Sequence, residues 1–428
     1  MRPLTTMLAL LGSYLGFSGC APDPESLHQR ALQDWQDMRF GMFIHWGPVS
    51  LKGTEIGWSR GRQGPIEEYD KLYQQFNPVK FDAEEWARSA KDAGMKYIVL
   101  TSKHHDGFCL WDTKETDYNI MNTPFGRDVI KELAAACKKE GIAFGTYYST
   151  CDWYHPDYPL GSPGGKTEKA NPDMERYVTF MHNQLSELIQ NYGPLVTMWF
   201  DGEWESPWTH ELGEELYHFV REQEPGILIN NRVDKGRKGM EGTTSDRAAF
   251  YGDYDTPEQR VGTYQPEWPW ESCITICKQW AWKPEDNMKS LEQCIHTLVN
   301  TVGGGGNLLL NVGPMPDGRI EPRQVARLRE IGLWLEKNGN SIYGTRAGPF
   351  TPGDWGASTQ KGSTIYLHVL NWPDGKLSLP GLEGVIESVK LMNGNSVSFA
   401  QSEYSLVLTK PSDSDIDPLD TILELKLK

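Results

Sequence analysis

The chain has 428 residues, enough for one large domain and a smaller companion. Hydrophobic residues make up 38%, aromatics 11%, and the 16 Trp exceed what a core alone requires, so some are candidates for lining a carbohydrate or aromatic site. The formal charge of −16 excludes nucleic acid as a partner, because an acidic surface repels phosphate.

The first twenty residues, MRPLTTMLALLGSYLGFSGC, combine a basic Arg2, an apolar stretch from Leu4 to Phe17 and a small-residue end. That is the pattern of a secretory signal, and it is too short for a stable spanning helix. FSGC resembles a bacterial lipobox, with Cys20 as the lipidated residue. The expectation is an exported protein at the periplasm or cell surface, touching the membrane only through a lipid anchor at Cys20. Residues 21–26 read as a short polar tether. The other six cysteines show no CxxC spacing. Export permits disulfides, and buried free thiols are an equally good reading.

From there, apolar runs alternate with amphipathic stretches. Phe40–Gly47 reads as a strand. Phe81–Gly94 reads as a helix, with Asp82 and Glu85 in a capping-box pattern and Gly94 as the stop. KYIVLTSKHH is a strand, Arg127–Gly141 a helix, IAFGTYYST a strand, 173–191 a helix and Pro194–Gly202 a strand. A helix over 210–224 and a strand over Gly226–Arg232 follow, then the strand WESCITIC, a helix over 287–302, the strand Asn307–Gly313 and a helix over 321–338. Alternation of this kind specifies a parallel α/β fold. His45, His104, His105, Tyr147, Asp201 and Arg232 all fall at C-terminal strand ends. In a (β/α)8 barrel those ends converge on one mouth, so a (β/α)8-like TIM barrel over 27–344 is favoured over a doubly wound sheet. After about residue 344 the pattern turns to short runs near period two, ending in TILELKLK, so 345–428 reads as an antiparallel β domain.

Asp201, in TMWFDGEW, ends an apolar strand between Trp199 and Trp204. A carboxylate there either caps the next helix or serves as a nucleophile or acid. Glycoside hydrolysis takes two carboxylates, and Glu258, Glu267, Glu271, Asp253 and Asp255 are the downstream candidates. His45, His104 and His105 would suit a three-histidine metal site, but adjacent strand residues point to opposite faces and no HExxH spacing is present. Imidazole, which donates at one nitrogen and accepts at the other, fits neutral sugar hydroxyls better. Gly303–Pro314 lacks the Gly-Lys-Ser/Thr of a phosphate loop and precedes a strand.

RFGMFIHWG, KHHDGF, FGTYYS, WFDG, INNR and TPE, in this order, resemble the α-L-fucosidases of glycoside hydrolase family 29. The resemblance runs from about residue 30 to 345. It implies a (β/α)8-like barrel with a C-terminal β-sandwich. It implies retaining cleavage of terminal α-L-fucosyl linkages on a fucosylated glycan, with no metal and no cofactor. Residue by residue, it makes Asp201 the nucleophile and Glu258 the acid/base, with Glu271 in reserve. His45, Trp46, Trp58, His104, His105, Tyr147, Trp199, Arg232 and Trp280 become substrate-binding positions. Many members carry Glu-Trp where this chain has Gly57-Trp58, and Glu55 is the nearby carboxylate available to replace the missing one. An α-L-galactosidase of the same fold and a non-catalytic fucose-binding protein are the alternatives.

Overall fold

The computed structural model describes residues 23–244, 246–373 and 375–428, so the expected signal segment, Cys20 and the start of the expected tether lie outside it. Seven parallel strands form the central sheet: β1 (Phe40–Ile44), β2 (Tyr97–Lys103), β3 (Ala143–Ser149), β4 (Thr197–Asp201), β5 (Leu228–Ile229), β6 (Glu271–Thr275) and β7 (Asn307–Val312). Their spatial order is β5-β4-β3-β2-β1-β7-β6. The outer strands β5 and β6 are joined by residues 253–259. The Asp253 amide donates to the Ile229 carbonyl at 2.7 Å and the Asn231 amide to Tyr254 at 2.9 Å. On the other side, the Glu271 amide donates to Asp255 at 2.9 Å and the Cys273 amide to Pro257 at 3.0 Å. This extended segment stands in the eighth position and closes the ring. It is not a regular strand, because Pro257 has no amide to donate and Gln259 has a φ of 54°.

Among the described residues eight helices accompany the sheet: α1 (Pro24–Met38), α2 (Ile66–Asp70), α3 (Ala83–Asp92), α4 (Val129–Glu140), α5 (Met174–Tyr192), α6 (His210–Gln223), α7 (Leu291–Gly303) and α8 (Pro322–Asn338). The longer ones start where the sequence supplies a cap. Asp82, Asp128, Asp173, Thr209 and Ser290 each accept an amide of the first turn. The Ser290 cap starts α7 at Leu291, four residues later than the sequence reading. At the N-terminus, Asp23 caps α1 and Pro24 sits in its first turn, so residues 24–26 are helical rather than tether. The expected strand Gly226–Arg232 is shortened to the two residues of β5, after which a turn over Asn231–Val233 swings Arg232 inward.

Two apolar layers lie on either side of the barrel wall. Met42, Ile44 and Trp46 face the helices and pack with Trp86 and Phe81. Phe43, alternating with them, faces the interior with Tyr97, Tyr147, Trp199, Cys273 and Leu309. Trp35 of α1 joins this inner layer, 4.6 Å from the Tyr254 ring, and closes the end of the barrel opposite the strand C-termini.

The remaining strands are β8 (Arg346–Ala347), β9 (Gly356–Lys361), β10 (Thr364–Val369), β11 (Lys376–Pro380), β12 (Ile386–Leu391), β13 (Phe399–Gln401), β14 (Ser405–Thr409) and β15 (Thr421–Leu427). They form antiparallel sheets of five strands (β12-β15-β10-β9-β8) and three (β11-β14-β13). Ile365, Leu367, Leu377, Leu406, Leu423 and Leu425 fill the space between the sheets, which makes the unit a sandwich. Its five-stranded sheet also packs on α7. A Cβ on Gly303 would lie 2.5 Å from that of Ala357, so the helix and β9 are in backbone-close contact. All six described cysteines are free and buried. No helix of the described residues is long and apolar enough to cross a membrane.

Candidate active site

At the C-terminal mouth of the barrel lies a cavity of about 320 Å³. Its centre is a guanidinium. Arg232 donates from Nη1 to Asp201 Oδ1 at 2.7 Å and from Nη2 to Glu258 Oε2 at 2.8 Å, while Nε is anchored on Thr256 Oγ1 at 3.0 Å. The guanidinium lies 4.6 Å over the Trp199 ring. Burial works against its charge, but the carboxylates of Asp201 and Glu258 more than offset this and keep it ionised. Asp201 ends β4, and its carbonyl accepts from the Thr150 amide and hydroxyl at 2.7 and 2.9 Å, which fixes the backbone beneath it. Its Oδ2 accepts from the Tyr147 hydroxyl at 2.9 Å. Burial and the Asp201 charge hold the Tyr147 phenol protonated well beyond its usual range. Two carboxylates thus face one cavity, brought there by different elements, strand β4 and the closing segment.

The histidines are polarised by their neighbours. Asn311 donates from Nδ2 to the Trp280 carbonyl, so its Oδ1 accepts from His45 Nδ1 at 2.6 Å. His45 therefore carries its proton on Nδ1, and Nε2 is left as an acceptor. Burial pushes its pKa down to about 4, so the ring is neutral. His104 stacks on Tyr147 with centroids 5.2 Å apart and planes 8° from parallel. Burial, His105 and His45 keep it neutral as well. Strand β2 ends at Lys103, so the two histidines are not bound by strand alternation. His104 lines the cavity. His105 does not: its Nδ1 meets Ser149 Oγ at 2.7 Å, and its Nε2 backs Asp201 Oδ2 at 3.6 Å, beyond hydrogen-bond range. Among the described residues no group of three or more His, Cys, Asp or Glu has the geometry to hold a metal ion.

Of the residues singled out from the sequence, Asp201, Glu258, His45, Trp58, His104, Tyr147, Trp199, Arg232 and Trp280 line the cavity. Trp46 and Glu271 lie elsewhere. The Trp46 indole donates to the Met315 carbonyl at 3.1 Å and packs against Phe76, Phe81 and Trp86, outside the barrel wall. The alternation of β1 carries on past Ile44, because the His45 amide still pairs with the Val312 carbonyl at 3.2 Å, so Trp46 follows Met42 and Ile44 to the outer face. Glu271 faces inward but one layer below the cavity. Its Oε1 accepts from the Trp199 indole at 3.1 Å and its Oε2 from the Tyr97 hydroxyl. Burial raises its pKa to about 7. It props Trp199 from beneath and has no route to a ligand.

Gly57 has a φ of 64° and donates its amide to the Tyr69 hydroxyl at 2.9 Å, which in turn donates to Asp106 at 2.6 Å. A Cβ here would sit 2.9 Å from His104 Nδ1, so glycine lets this loop settle onto the imidazole. Glu55 does not replace the missing carboxylate. Its oxygens accept from the amides of Trp280 and Ala281, both at 3.0 Å, and so fasten the loop that presents Trp280.

Phe43, Cys273, Trp204, Arg237 and Met240 also line the cavity and were not singled out as site residues from the sequence. Parity with His45 and with Glu271 would have indicated Phe43 and Cys273. Arg237 and Met240 sit on a long irregular loop that carries no periodic signal.

The family model described as Alpha-L-fucosidase matches residues 18–340. An α-L-fucosidase of Branchiostoma floridae is 35% identical over 394 residues, covering 84% of this chain and 84% of that protein. Human plasma α-L-fucosidase is 32% identical over 423 residues, covering 91% and 88%. Among solved structures, α-L-fucosidase isoenzyme 1 from Paenibacillus thiaminolyticus superposes with a TM-score of 0.84 at 37% identity, over 94% of this chain and 100% of that one. A Bacteroides thetaiotaomicron α-L-fucosidase of family GH29, trapped as a covalent intermediate with 2-fluoro-fucosyl fluoride, gives 0.84 at 31% identity over 93% and 96%. The barrel, the sandwich and these likenesses over nearly the whole chain lead to one assignment: the chain belongs to the α-L-fucosidase family, glycoside hydrolase family 29.

Proposed function

We propose that this protein is a retaining exo-glycosidase that hydrolyses terminal α-L-fucosyl linkages, with Asp201 as nucleophile and Glu258 as general acid/base. The observation that carries the reading is the shared guanidinium. Arg232 holds two carboxylates from separate elements at one sugar-sized cavity. In the first step Asp201 attacks the anomeric carbon while Glu258 gives a proton to the leaving oxygen. In the second, Glu258 takes a proton from water, which attacks the same carbon and frees the sugar with its configuration retained. Arg232 counters the charge of Asp201 before the attack and that of Glu258 once its proton is given, and Tyr147 steadies the oxygen of Asp201 that does not bond Arg232. Neutral His45 and His104 suit sugar hydroxyls, and the Trp280 ring, 4.7 Å from that of His45, offers an apolar wall for a deoxy sugar's methyl group.

The test is fucose release from an aryl α-L-fucoside by protein comprising residues 21–428, with chelator present and with Asp201→Ala alongside. Release that survives the chelator and collapses in the variant supports the reading. Release that persists in the variant, or stops with the chelator, removes it.

The N-terminal segment supports export with a lipid anchor at Cys20, at the periplasm or cell surface. A Cys20→Ala variant should leave the membrane fraction and become soluble. Unchanged fractionation would remove the anchor from the account.

A further inference from the structure

We propose that Trp204, Met240 and Arg237 form the leaving-group subsite, which takes a neutral pyranose linked to the departing oxygen. This rests on the assignment of Glu258 as the group that protonates that oxygen. The sugar on the far side of the scissile bond must then lie next to Glu258, on the outer side of the cavity. The Glu258 amide donates to the Met240 carbonyl at 3.0 Å, and the Thr256 amide to the Gly242 carbonyl at 3.1 Å. The loop that carries Met240 is thus fastened to the segment that carries the acid. A Cβ on Gly242 would fall 2.0 Å from the Thr256 carbonyl oxygen, so only glycine permits this seam.

Among the large hydrophobic side chains exposed on the described residues, Trp204 (40% exposed) and Met240 (49%) are the two that line the cavity. Trp204 is held flat. Its ring lies 6.0 Å from Trp58 at 18°, and His105 meets it edge-on at 5.2 Å. A fixed, half-exposed indole beside a flexible thioether suits the C–H face of a sugar ring. Arg237 supplies the polar contact. Its Nε donates to Glu203 Oε1 at 2.8 Å and its Nη1 to the Gly239 carbonyl, which leaves Nη2 without a partner among the described residues. Because Glu203 already balances Arg237, the pair favours a neutral acceptor, a hydroxyl or an amide carbonyl, over a sulfate or carboxylate. Glu203 is buried and does not line the cavity; it holds Arg237 in place, as a positioning residue.

The experiment compares kcat/KM for a panel of fucosyl-hexose disaccharides with that for α-L-fucosyl fluoride, whose leaving group reaches no second sugar site. It uses wild type, Trp204→Ala, Met240→Ala and Arg237→Ala, each checked for an unchanged thermal transition. The disaccharide value should fall about tenfold further than the fluoride value in the Trp204 and Arg237 variants, the scale of losing one good contact. A sulfated disaccharide should gain nothing over its neutral parent. Equal losses on both substrates, or no loss on either, would overturn the proposal, as would a wild type that turns over the fluoride and none of the disaccharides. A wild type inactive on the fluoride would instead overturn the hydrolase reading on which it rests.

Discussion

Asp201 at the end of β4 and Glu258 on the segment closing the barrel are bound to the two terminal nitrogens of a single guanidinium, that of Arg232. The pairing ties both carboxylates to the seam between β5 and β6, where helices give way to loops. The Arg232→Lys variant keeps a charge but loses the fork. It should lower kcat/KM on an aryl fucoside by about 10²–10³, the range for removing one preorganised electrostatic group. Its thermal transition should also fall, because a buried carboxylate loses its partner. Steady-state kinetics and calorimetry on the one variant check both.

Glu258 and, in reserve, Glu271 are the carboxylates that the family resemblance offers for acid/base work, and the structure separates them. Glu258→Ala should lower turnover of a disaccharide by about 10²–10⁴, while on an activated aryl fucoside, whose leaving group needs no proton, azide should attack the glycosyl-enzyme and give the α-fucosyl azide. Glu271→Ala should ignore azide and lose stability, because the Trp199 and Tyr97 donors lose their acceptor. NMR of the azide product and melting curves distinguish the two.

The Glu271 carboxyl keeps its proton up to about pH 7 in the folded chain, against about 4.3 when unfolded. Between these values the folded state binds more protons, so stability falls as pH rises through the window. Glu271→Gln removes this titration. The difference in melting temperature between pH 5 and pH 8 should therefore be smaller in Glu271→Gln than in wild type. An equal difference would mean that Glu271 stays ionised in the fold.

Trp46 stands next to a site histidine yet belongs to the layer between sheet and helices. Trp46→Ala should cost about 3–5 kcal/mol of stability and leave KM on an aryl fucoside unchanged in the folded fraction, read by denaturant unfolding and kinetics.

Most of the barrel was legible because its elements announce themselves. A cap such as Asp82 sets a helix start, and the polar residues that end apolar strands gather at one mouth. Depth and closure were not legible. Glu271 and Cys273 share a parity, but only the rise along β6 decides that Cys273 reaches the cavity and Glu271 stops below it. The closing segment 253–259 has no strand pattern, since its pairing is set by neighbours distant in sequence. The role of Glu55 escapes a sequence reading because its partners, the amides of Trp280 and Ala281, lie 225 and 226 residues further along the chain.

The most direct test of the account is to trap the glycosyl-enzyme. The protein would be incubated with 2-deoxy-2-fluoro-fucosyl fluoride, digested, and the labelled peptide sequenced by mass spectrometry. The account predicts one fluorofucosyl group, on Asp201, and none in Asp201→Ala. A label on Glu203, Glu258 or any other residue would contradict it, as would hydrolysis of an aryl fucoside with inversion and no label at all.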